Sequence, residues 1–386
     1  MCGMKILYLC NYYHRAMIFR DAMDIMAELG HDVLAFNSVE FGEPIDEKYR
    51  SIMDDKVIHC ECYRKNDRYF YHVKQNKIYR KLLEKTDVSS FNLIHSHTLF
   101  NGGWVARKAY HRLGVPYVVT VRNTDLNANL QYPFFIPIAR MIVKDSQKVL
   151  FLSESYREAF LKKCYTKKER DLVYSKTEVV LNGLENFWLE NRWNERRECH
   201  RPLRLLCVGK IDRNKNMKTV LETANQLNQE GCPTMLTIIG KVVDERVREN
   251  LMCGNHVELL PFMKKEELIH YYREADIYVM PSFHESFGRV YAEAMTQGMP
   301  VIYSRGQGFD GIFPEGEIGY SVDPSNVAEI KQAIKKILEK YPTMSQKCVD
   351  SSGIFDWKII SSRLQKIYLV AGSKGVKNES STIIFP

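Results

Sequence analysis

The sequence predicts two doubly wound α/β domains, each a parallel sheet with helices on both faces. Short apolar runs rich in Val, Ile and Leu alternate with segments of helical period, as buried parallel strands alternate with crossover helices. The chain has 386 residues, of which 45% are hydrophobic and 26% charged, and this length favours two domains over one. Residues 186–202 are polar, charged and without period. We therefore expect domains over residues 1–185 and 200–355.

The predicted strands are continuous apolar runs. Those of the first half are KILYLC, DVLAF, NLIHSH, PYVVTV, KVLFLS and EVVLN. Those of the second half are LRLLCVG, MLTIIG, VELLP, IYVMPS and PVIYS. Open sheets of this kind bind ligands beyond the carboxyl ends of their strands, so we expect the functional residues in the loops that follow these runs, beside a cleft between the domains.

Two segments have apolar residues spaced at helical period and predict helices with one buried face. The run FRDAMDIMAELG, residues 19–30, predicts a helix with Ala22, Ile25, Met26 and Leu29 on one face and Gly30 as its stop. Residues 356–373 predict an amphipathic C-terminal helix, which we expect to pack back on the first domain. Its apolar stripe comprises Trp357, Ile360, Leu364 and Ile367.

Composition limits the classes of function. The net charge of +8 favours anionic partners such as phosphates, nucleic acid or an acidic membrane face. The ten cysteines are scattered, and Cys60 and Cys62 lack a second pair at zinc-ligand spacing, which favours free thiols in a reducing cytoplasm. The N-terminus does not have the regions of a signal peptide, and the run YPFFIPIARMIV is broken by Pro133, Pro137 and Arg140. We expect a cytoplasmic protein, peripheral on the inner face of the membrane if it contacts one.

A loop with two lysines follows the first strand of the second domain. In LLCVGKIDRNKN, Gly209 ends the strand, and Lys210 and Lys215 precede the next helix. Two ammonium groups beside a helix N-terminus favour a diphosphate. The alternative is that these lysines only solvate the surface.

Two glutamates flank the start of another helix. In PSFHESFGRVYAEAMTQGMPV, residues 281–301, Glu285 precedes the first turn and Glu293 lies about two turns later, so both can border one pocket. Carboxylates accept charge-assisted hydrogen bonds from sugar hydroxyls. The alternative makes Glu285 a helix-start acid and Glu293 a salt-bridge partner. The helix is expected to bury Val290, Ala294 and Met295 and to stop at Gly298.

With these motifs, the chain resembles the retaining nucleotide-sugar glycosyltransferases of the GT-B fold, specifically glycosyltransferase family 4. The resemblance covers residues 4 to about 370. It is carried by the glutamate pair with EAMTQGMPV after it, by Gly209-Lys210 and Lys215-Asn216, and by Asn182-Gly183 and Gly30-His31.

The resemblance implies transfer of a sugar from a nucleotide donor, with UDP-sugar expected, to a glycan or lipid-linked acceptor in cell-surface polysaccharide biosynthesis. It implies no metal and no tightly bound cofactor. Lys210 and Lys215 would hold the diphosphate and stabilise it as the leaving group, Glu293 would bind the ribose, and Glu285 the donor sugar. The remaining donor-binding residues would be Gly209, Phe287, Gly288 and Arg289, the last three through backbone N–H groups.

The chain departs from the family pattern in three loops. The glycine-rich turn after the first strand is replaced by NYYHRAMIFR, residues 11–20. In TVRNTD, Arg122 and Asn123 stand where the family has histidine and glycine, while Asp125 is retained. In RGQGFDGIF, Asp310 stands near the usual position of a glutamate.

The first domain is expected to bind the acceptor. The candidate residues for this cleft are Asn11, His97, Arg122, Asn123 and Asp125. His95 and His97 alternate on a strand, so one is expected to face the cleft, and we favour His97.

Segment 63–85 carries eight Lys and Arg against two acids, interleaved with aromatic residues, and segment 156–170 is similar. Such segments suit an anionic membrane surface or a lipid-diphosphate acceptor. They also fit single-stranded nucleic acid, or a solvated face with the rings turned inward. We expect no nucleic-acid partner. Two alternatives remain: a non-hydrolysing sugar-nucleotide epimerase of the same architecture, and a basic binding protein without catalysis.

Overall fold

The computed structural model describes residues 3–11, 13, 18–43 and 55–373. The chain divides into two compact units. The first contains the chain up to residue 152, residues 157–181, and the chain from 357 onward; the second contains 153–156 and 182–356. Segment 186–202, expected as the boundary, therefore lies wholly within the second unit.

The first unit is built on a parallel sheet of seven strands in the order β3-β2-β1-β4-β5-β6-β7. The strands are β1 Lys5–Cys10, β2 Asp32–Glu40, β3 Val57–Tyr63, β4 Leu93–Ser96, β5 Tyr117–Val121, β6 Lys148–Phe151 and β7 Thr177–Val179. Strand order reverses between β1 and β4, which pair from Ile6↔Leu93 to Leu9↔Ser96. Loops after these two strands open at a topological switch point, where such sheets bind ligands.

Helices connect and cover these strands. They are α1 Ile18–Glu28, α2 Tyr71–Lys85, α3 Gly103–Leu113, α4 Asn123–Asn127, α5 Phe135–Asp145, α6 Glu154–Cys164, α7 Lys167–Tyr174 and, after the second unit, the C-terminal helix Trp357–Ser373. Short 3-10 turns lie at Lys65–Tyr69, Val88–Ser90 and Asn129–Gln131. The first residues of α6, 154–156, group with the second unit.

The C-terminal helix packs in the core of the first unit. Its predicted apolar stripe is buried with residues of β1, β2 and α1. The Tyr368 hydroxyl lies 2.5 Å from His95 Nδ1 and 3.0 Å from the Tyr8 hydroxyl. The helix therefore completes both the apolar core and a buried polar network beneath β1 and β4.

The second unit is built on a parallel sheet of six strands in the order β10-β9-β8-β11-β12-β13. The strands are β8 Leu203–Val208, β9 Thr234–Ile239, β10 Val257–Leu260, β11 Ile277–Val279, β12 Val301–Ser304 and β13 Gly319–Val322. Here the order reverses between β8 and β11, which pair as Leu205↔Ile277 and Leu206↔Tyr278. The Lys210–Lys215 loop and the Glu285 loop follow these two strands.

Helices alternate with strands in the second unit as they do in the first. They are α8 Asn186–Glu190, α9 Met217–Gln229, α10 Glu245–Met252, α11 Lys265–Glu274, α12 Arg289–Thr296, α13 Val327–Glu339 and α14 Tyr341–Ser351, so that the C-terminal helix is α15; 3-10 turns lie at Arg213–Lys215 and Ser352–Phe355. The doubly wound fold of both halves is thus as predicted. Among the described residues, no helix is both long and apolar enough to cross a membrane.

Two strands and two helix faces differ from the expectation. β3 and β13 were not predicted, because both are edge strands and neither is a continuous apolar run. In α1 the buried residues are Phe19, Ala22, Met23 and Met26, whereas Leu29 is exposed. In α12 Val290 is only half-buried, and Tyr291 and Ala292 face the core instead. The expected stops hold, since Gly30 and Gly298 both have positive φ.

Candidate functional site

The candidate site of the second unit lies where the loops after β8 and β11 meet. Asn214 joins them, because its backbone oxygen accepts from Phe283 N at 2.9 Å and its side chain exchanges two hydrogen bonds with the backbone of His284. Asn216 adds a second link, donating from Nδ2 to Pro281 O at 3.1 Å. Both loops are thereby fixed at the switch point of the sheet.

The central contact of the site is an ion pair between the two loops. Lys215 Nζ lies 2.6 Å from Glu285 Oε2, and the two side chains are only 18% and 13% exposed. The Asp212 carboxylate accepts from Lys215 N at 3.0 Å, and Ser286 N donates to Glu285 Oε1 at the same distance. Lysine and glutamate are thus presented to each other by backbone that is itself held in place.

Gly209 lies beside this lysine. A Cβ at position 209 would lie 3.5 Å from Lys215 Cε and 3.4 Å from Met280 Sδ, which are ordinary van der Waals distances. Lys210, in contrast, is exposed, and no hydrogen bond or ion pair within the described ranges involves it. The two predicted phosphate-binding lysines therefore differ: one is held by a carboxylate and the other is free.

A third loop, after β12, supports Glu285 from the other side. Gln307 Oε1 accepts from Glu285 N at 3.0 Å, and Gly308 N donates to Glu285 O at 3.0 Å. Gly308 is required for this approach, because a Cβ there would lie 2.0 Å from Ser286 O. Asp310 acts within its own loop, where its carboxylate accepts from Gly306 N at 2.7 Å.

Helix α12 begins beside Glu285. Gly288 caps it with φ of +76°, and a Cβ there would lie 2.3 Å from the Tyr291 ring, so only glycine fits. Phe287 is buried and Arg289 half-buried. The first N–H groups of any helix have no partner within it, so this start offers donors to an anion or a hydroxyl.

Glu293 lies in a different environment from Glu285. It is half-buried, and its Oε2 accepts from the Tyr272 hydroxyl at 3.3 Å. Burial raises the pKa of Glu293 to about 7; the nearby charge of Arg289 opposes this shift and that of Glu185 adds to it. The predicted acid pair therefore consists of one carboxylate paired with lysine and one that gains or loses its proton near neutral pH.

In the first unit, Asp125 organises the loops after β4 and β5. Its carboxylate accepts from the backbone N–H groups of Leu99, Phe100 and Arg122 at 3.0, 3.2 and 2.9 Å. Burial raises the pKa of Asp125 to about 6, although these three hydrogen bonds favour the ionised form. In this structure Asp125 fixes backbone next to the candidate acceptor residues.

His97 and Arg122 are linked through the same loops. Arg122 Nε donates to His97 O at 2.8 Å, and the guanidinium lies over the Phe19 ring. His97 is 4% exposed, and within the part of the chain that is described neither of its ring nitrogens has a hydrogen-bond partner. Burial holds the pKa of His97 well below its ordinary value. His95 is buried too, so the alternation predicted for the two histidines does not expose either ring.

The other two candidates of the first unit also lie beyond strand ends. Asn11 is buried after β1, donates to Ser38 Oγ at 3.1 Å and accepts from Thr98 Oγ1 at 3.4 Å. Asn123 accepts from Asn127 Nδ2 at 2.5 Å within α4. The fold thus gathers Asn11, His97, Arg122, Asn123 and Asp125 at the carboxyl edge of the first sheet.

The sequence did not point to three residues that shape the second unit's site. They are Asn214, Gln307 and Tyr272. Asn214 and Gln307 act through backbone contacts of loops and leave no periodic pattern. Tyr272 lies on α11, where its helical spacing marks it only as a core residue.

Comparison with known proteins matches each half of the chain to a glycosyltransferase family model. Residues 191–351 match the family model described as "Glycosyl transferases group 1". Residues 17–173 match the model described as "Glycosyl transferase 4-like domain".

Curated relatives that match most of the chain are also named glycosyltransferases. The chain is 22% identical over 353 residues to an uncharacterised glycosyltransferase of Methanocaldococcus jannaschii, covering 89% of this chain and 90% of the relative. It is 27% identical over 310 residues to the D-inositol 3-phosphate glycosyltransferase of Corynebacterium jeikeium, covering 72% of each chain.

Solved structures share the fold. The apo form of the lipopolysaccharide outer core galactosyltransferase WaaB matches with a TM-score of 0.75 at 13% identity, over 95% of this chain and 99% of the other. Anabaena HepE in complex with UDP and glucose matches with a TM-score of 0.66 at 15% identity, over 94% of this chain and 99% of the other. Similarity at this level of identity shows the GT-B architecture of two Rossmann-like domains.

Proposed function

Because this chain belongs to the group 1 glycosyltransferases of the GT-B fold, we propose that it transfers a sugar from a UDP-sugar, with retention of the anomeric configuration, to a glycan or lipid-linked acceptor in cell-surface polysaccharide biosynthesis. The observation that carries the proposal is the Lys215–Glu285 pair at the switch point of the second sheet. UDP is favoured as the nucleotide because HepE, which shares the fold, was solved with UDP and glucose.

In this proposal the donor diphosphate takes over Lys215 from Glu285. A diphosphate carries more charge than a carboxylate and also meets the exposed ammonium of Lys210 and the N–H groups at the start of α12. Glu285, released from the lysine, then accepts hydrogen bonds from hydroxyls of the donor sugar. The ion pair thus holds both groups in place for their separate partners.

Catalysis would come from leaving-group stabilisation and positioning. When the bond between the anomeric carbon and the diphosphate breaks, negative charge grows on the diphosphate, and Lys215 and Lys210 are placed to stabilise it. Glu293, about one turn along α12, would bind the ribose. No side chain needs to act as a nucleophile, and we propose that no metal or tightly bound cofactor takes part.

The acceptor is assigned to the first unit. Asn11, His97, Arg122, Asn123 and Asp125 lie beyond strand ends of its sheet, beside or near its switch point. The Arg122 guanidinium suits an anionic group such as a phosphate of a lipid-linked acceptor. The assignment is supported by this placement and by the role of strand ends in open α/β sheets.

The proposal is tested by calorimetric titration with UDP and other nucleoside diphosphates, followed by incubation of UDP-sugars with candidate lipid-linked and glycan acceptors. We expect UDP to bind, and UDP to be released only when an acceptor is present. Anomeric configuration of the product is read by NMR, and activity in EDTA should equal that in magnesium. Isomerisation of the donor without an acceptor would instead identify an epimerase, and oligonucleotide binding without UDP binding a non-catalytic protein.

A further inference from the structure

Four aromatic side chains of the first unit are highly exposed to solvent. Tyr69 and Phe70 are 83% and 65% exposed, and Tyr132 and Phe134 are 60% and 59% exposed. Scattered single apolar residues on a surface are ordinary, but a group of them marks an interaction surface. These two pairs are about sixty residues apart in the sequence.

The fold brings the residues that follow the two pairs into contact. Phe70 directly precedes Tyr71, the first residue of α2, and Phe134 directly precedes Phe135, the first residue of α5. The rings of Tyr71 and Phe135 meet edge to face with centroids 5.4 Å apart. Phe134 also packs on Phe135, with centroids 4.3 Å apart. We call the four exposed rings, Tyr69, Phe70, Tyr132 and Phe134, the aromatic edge.

Charge around the aromatic edge is mostly positive, although Glu40 of β2 pairs with Arg68 at 2.6 Å. Residues 64–81 contain seven Lys and Arg and one acid, Asp67, which is paired with Lys77 at 2.7 Å. Residues 126–139, which include the other two rings, contain no charged residue at all. Arg64 and Lys65 are exposed at the start of the 3-10 turn that ends at Tyr69. Asp67 is therefore the one acid in these two segments, and its charge is balanced by Lys77.

The basic excess of the whole chain belongs to this unit. The first unit has 33 Lys and Arg against 21 Asp and Glu, whereas the second has 22 against 26. Long-range attraction to an anionic surface therefore acts on the first unit and orients the chain.

We propose that the aromatic edge is the surface by which this protein docks on an anionic membrane, with its rings at the level of the lipid headgroups and Arg64 and Lys65 against anionic lipids. Aromatic rings with basic neighbours are the composition that membrane interfaces favour, since the rings bury apolar area and the cations gain from the negative surface potential. The inference goes beyond the proposed function, because no part of it uses the donor site.

The test measures binding of the full chain to vesicles by co-sedimentation. We expect binding to vesicles of phosphatidylcholine mixed equally with phosphatidylglycerol, weaker binding to phosphatidylcholine alone, and a decrease with added salt. Replacing all four rings, as Tyr69→Ser, Phe70→Ser, Tyr132→Ser and Phe134→Ser, should lower the partition coefficient at least tenfold. Since the four side chains are exposed, the melting temperature and UDP titration of this variant should match those of the wild type.

Two matched controls test location. Phe262→Ser removes a ring that is 75% exposed on the second unit and should leave vesicle binding unchanged. Arg64→Gln with Lys65→Gln should weaken binding to anionic vesicles more than Lys167→Gln with Lys168→Gln, which removes two exposed charges beyond the far end of α6.

Three results would overturn the inference. The first is that the wild type binds anionic and neutral vesicles equally, or binds neither. The second is that the four-ring variant binds anionic vesicles as well as the wild type does. The third is that Phe262→Ser lowers vesicle binding as much as the four-ring variant does. If the four-ring variant kept vesicle binding but lost retention on immobilised glycans, the aromatic edge would be a glycan platform. Failure of the proposed function would appear separately, as absence of UDP binding in every variant including the wild type.

Discussion

Lys215 and Glu285 are seventy residues apart in the sequence, yet their charged atoms lie 2.6 Å apart in the second unit. Each is therefore the other's ion-pair partner. An anionic ligand that uses Lys215 must compete with Glu285, so the glutamate influences binding as well as turnover.

Glu285→Gln should tighten UDP binding while lowering turnover. Removing the competing charge frees Lys215, and a partly buried pair worth about 1 kcal/mol corresponds to roughly a fivefold gain in affinity. Turnover should fall because the transferred sugar loses a charged acceptor. Calorimetric titration with UDP, paired with initial rates, measures both. Glu339→Gln, which changes an exposed glutamate of the same unit, is the control, and unchanged UDP affinity in Glu285→Gln would exclude the competition.

Lys215→Ala and Lys210→Ala should each reduce kcat by about 10² to 10³, the usual effect of removing one donor that stabilises developing charge. Both variants should remain folded by circular dichroism. Lys218→Ala removes an exposed lysine of α9 close to the same loop and should retain wild-type rates. If Lys215→Ala turned over like Lys218→Ala, the lysine loop would not be the phosphate site.

Glu293→Gln should change how stability depends on pH. In the folded chain the pKa of Glu293 is raised by burial from 4.5 to about 7, so the folded state holds this proton more tightly than the unfolded state. The contribution of this proton to the free energy of unfolding is therefore fully present below about pH 4.5 and is lost as pH rises through about 7. Glutamine resembles the protonated acid, so the variant should melt above the wild type at pH 8 and close to it at pH 5.

The comparison is made by thermal melts without nucleotide. Glu339→Gln, at an exposed glutamate of the same unit, is measured alongside as the control. A Glu293→Gln variant that melts below the wild type at both pH values would mean that the carboxylate is needed in its ionised form by the fold itself.

Asn216 is expected to be important for stability through both backbone and side chain. It has φ of +54°, and its buried amide donates to Pro281 O and Pro324 O at 3.1 and 2.6 Å. Asn216→Ala and Asn216→Gly both lose these hydrogen bonds, at about 1 to 3 kcal/mol for the acceptors left unpaired. Only alanine adds left-handed strain, so the alanine variant should be less stable than the glycine variant by about 1 kcal/mol.

Urea unfolding of the two variants and the wild type measures these differences. Equal stability of the alanine and glycine variants would show that the backbone relaxes at position 216. Wild-type stability in both would show that the amide's two hydrogen bonds contribute nothing.

Much of this fold could be predicted because its central strands are buried on both faces. Such strands read as uninterrupted apolar runs, which located eleven of the thirteen strands that the structure describes. β3 was missed because His59 and Glu61 interrupt it, and β13 because a four-residue edge strand has little apolar content. Val290 was wrongly assigned to the buried face of α12. In so short a helix, the residue at which the Gly288 cap begins the helix determines which side chains face the core.

The site was predictable only in its residue types. A lysine loop and an acid pair after strand ends indicate anion and sugar chemistry, but their pairing depends on β8 lying next to β11, which is a property of the sheet order. The support from Gln307 is still less visible, since it acts on the backbone of Glu285 rather than through a motif. For the same reason the burial of His97 could not be deduced from strand alternation, because both faces of β4 are covered.

The interleaving of the two units has a consequence for how the chain is made. The first unit includes α15, which is synthesised after the whole of the second unit. A nascent chain released up to residue 356 therefore has a complete second unit. Its first unit still lacks Tyr368 and the apolar stripe that packs against β1 and α1. On the ribosome, the half that is translated later can therefore finish folding earlier. The half that carries the aromatic edge reaches its native packing only when the last helix has left the exit tunnel, so an early stop after residue 356 damages the N-terminal half of the protein rather than the C-terminal one.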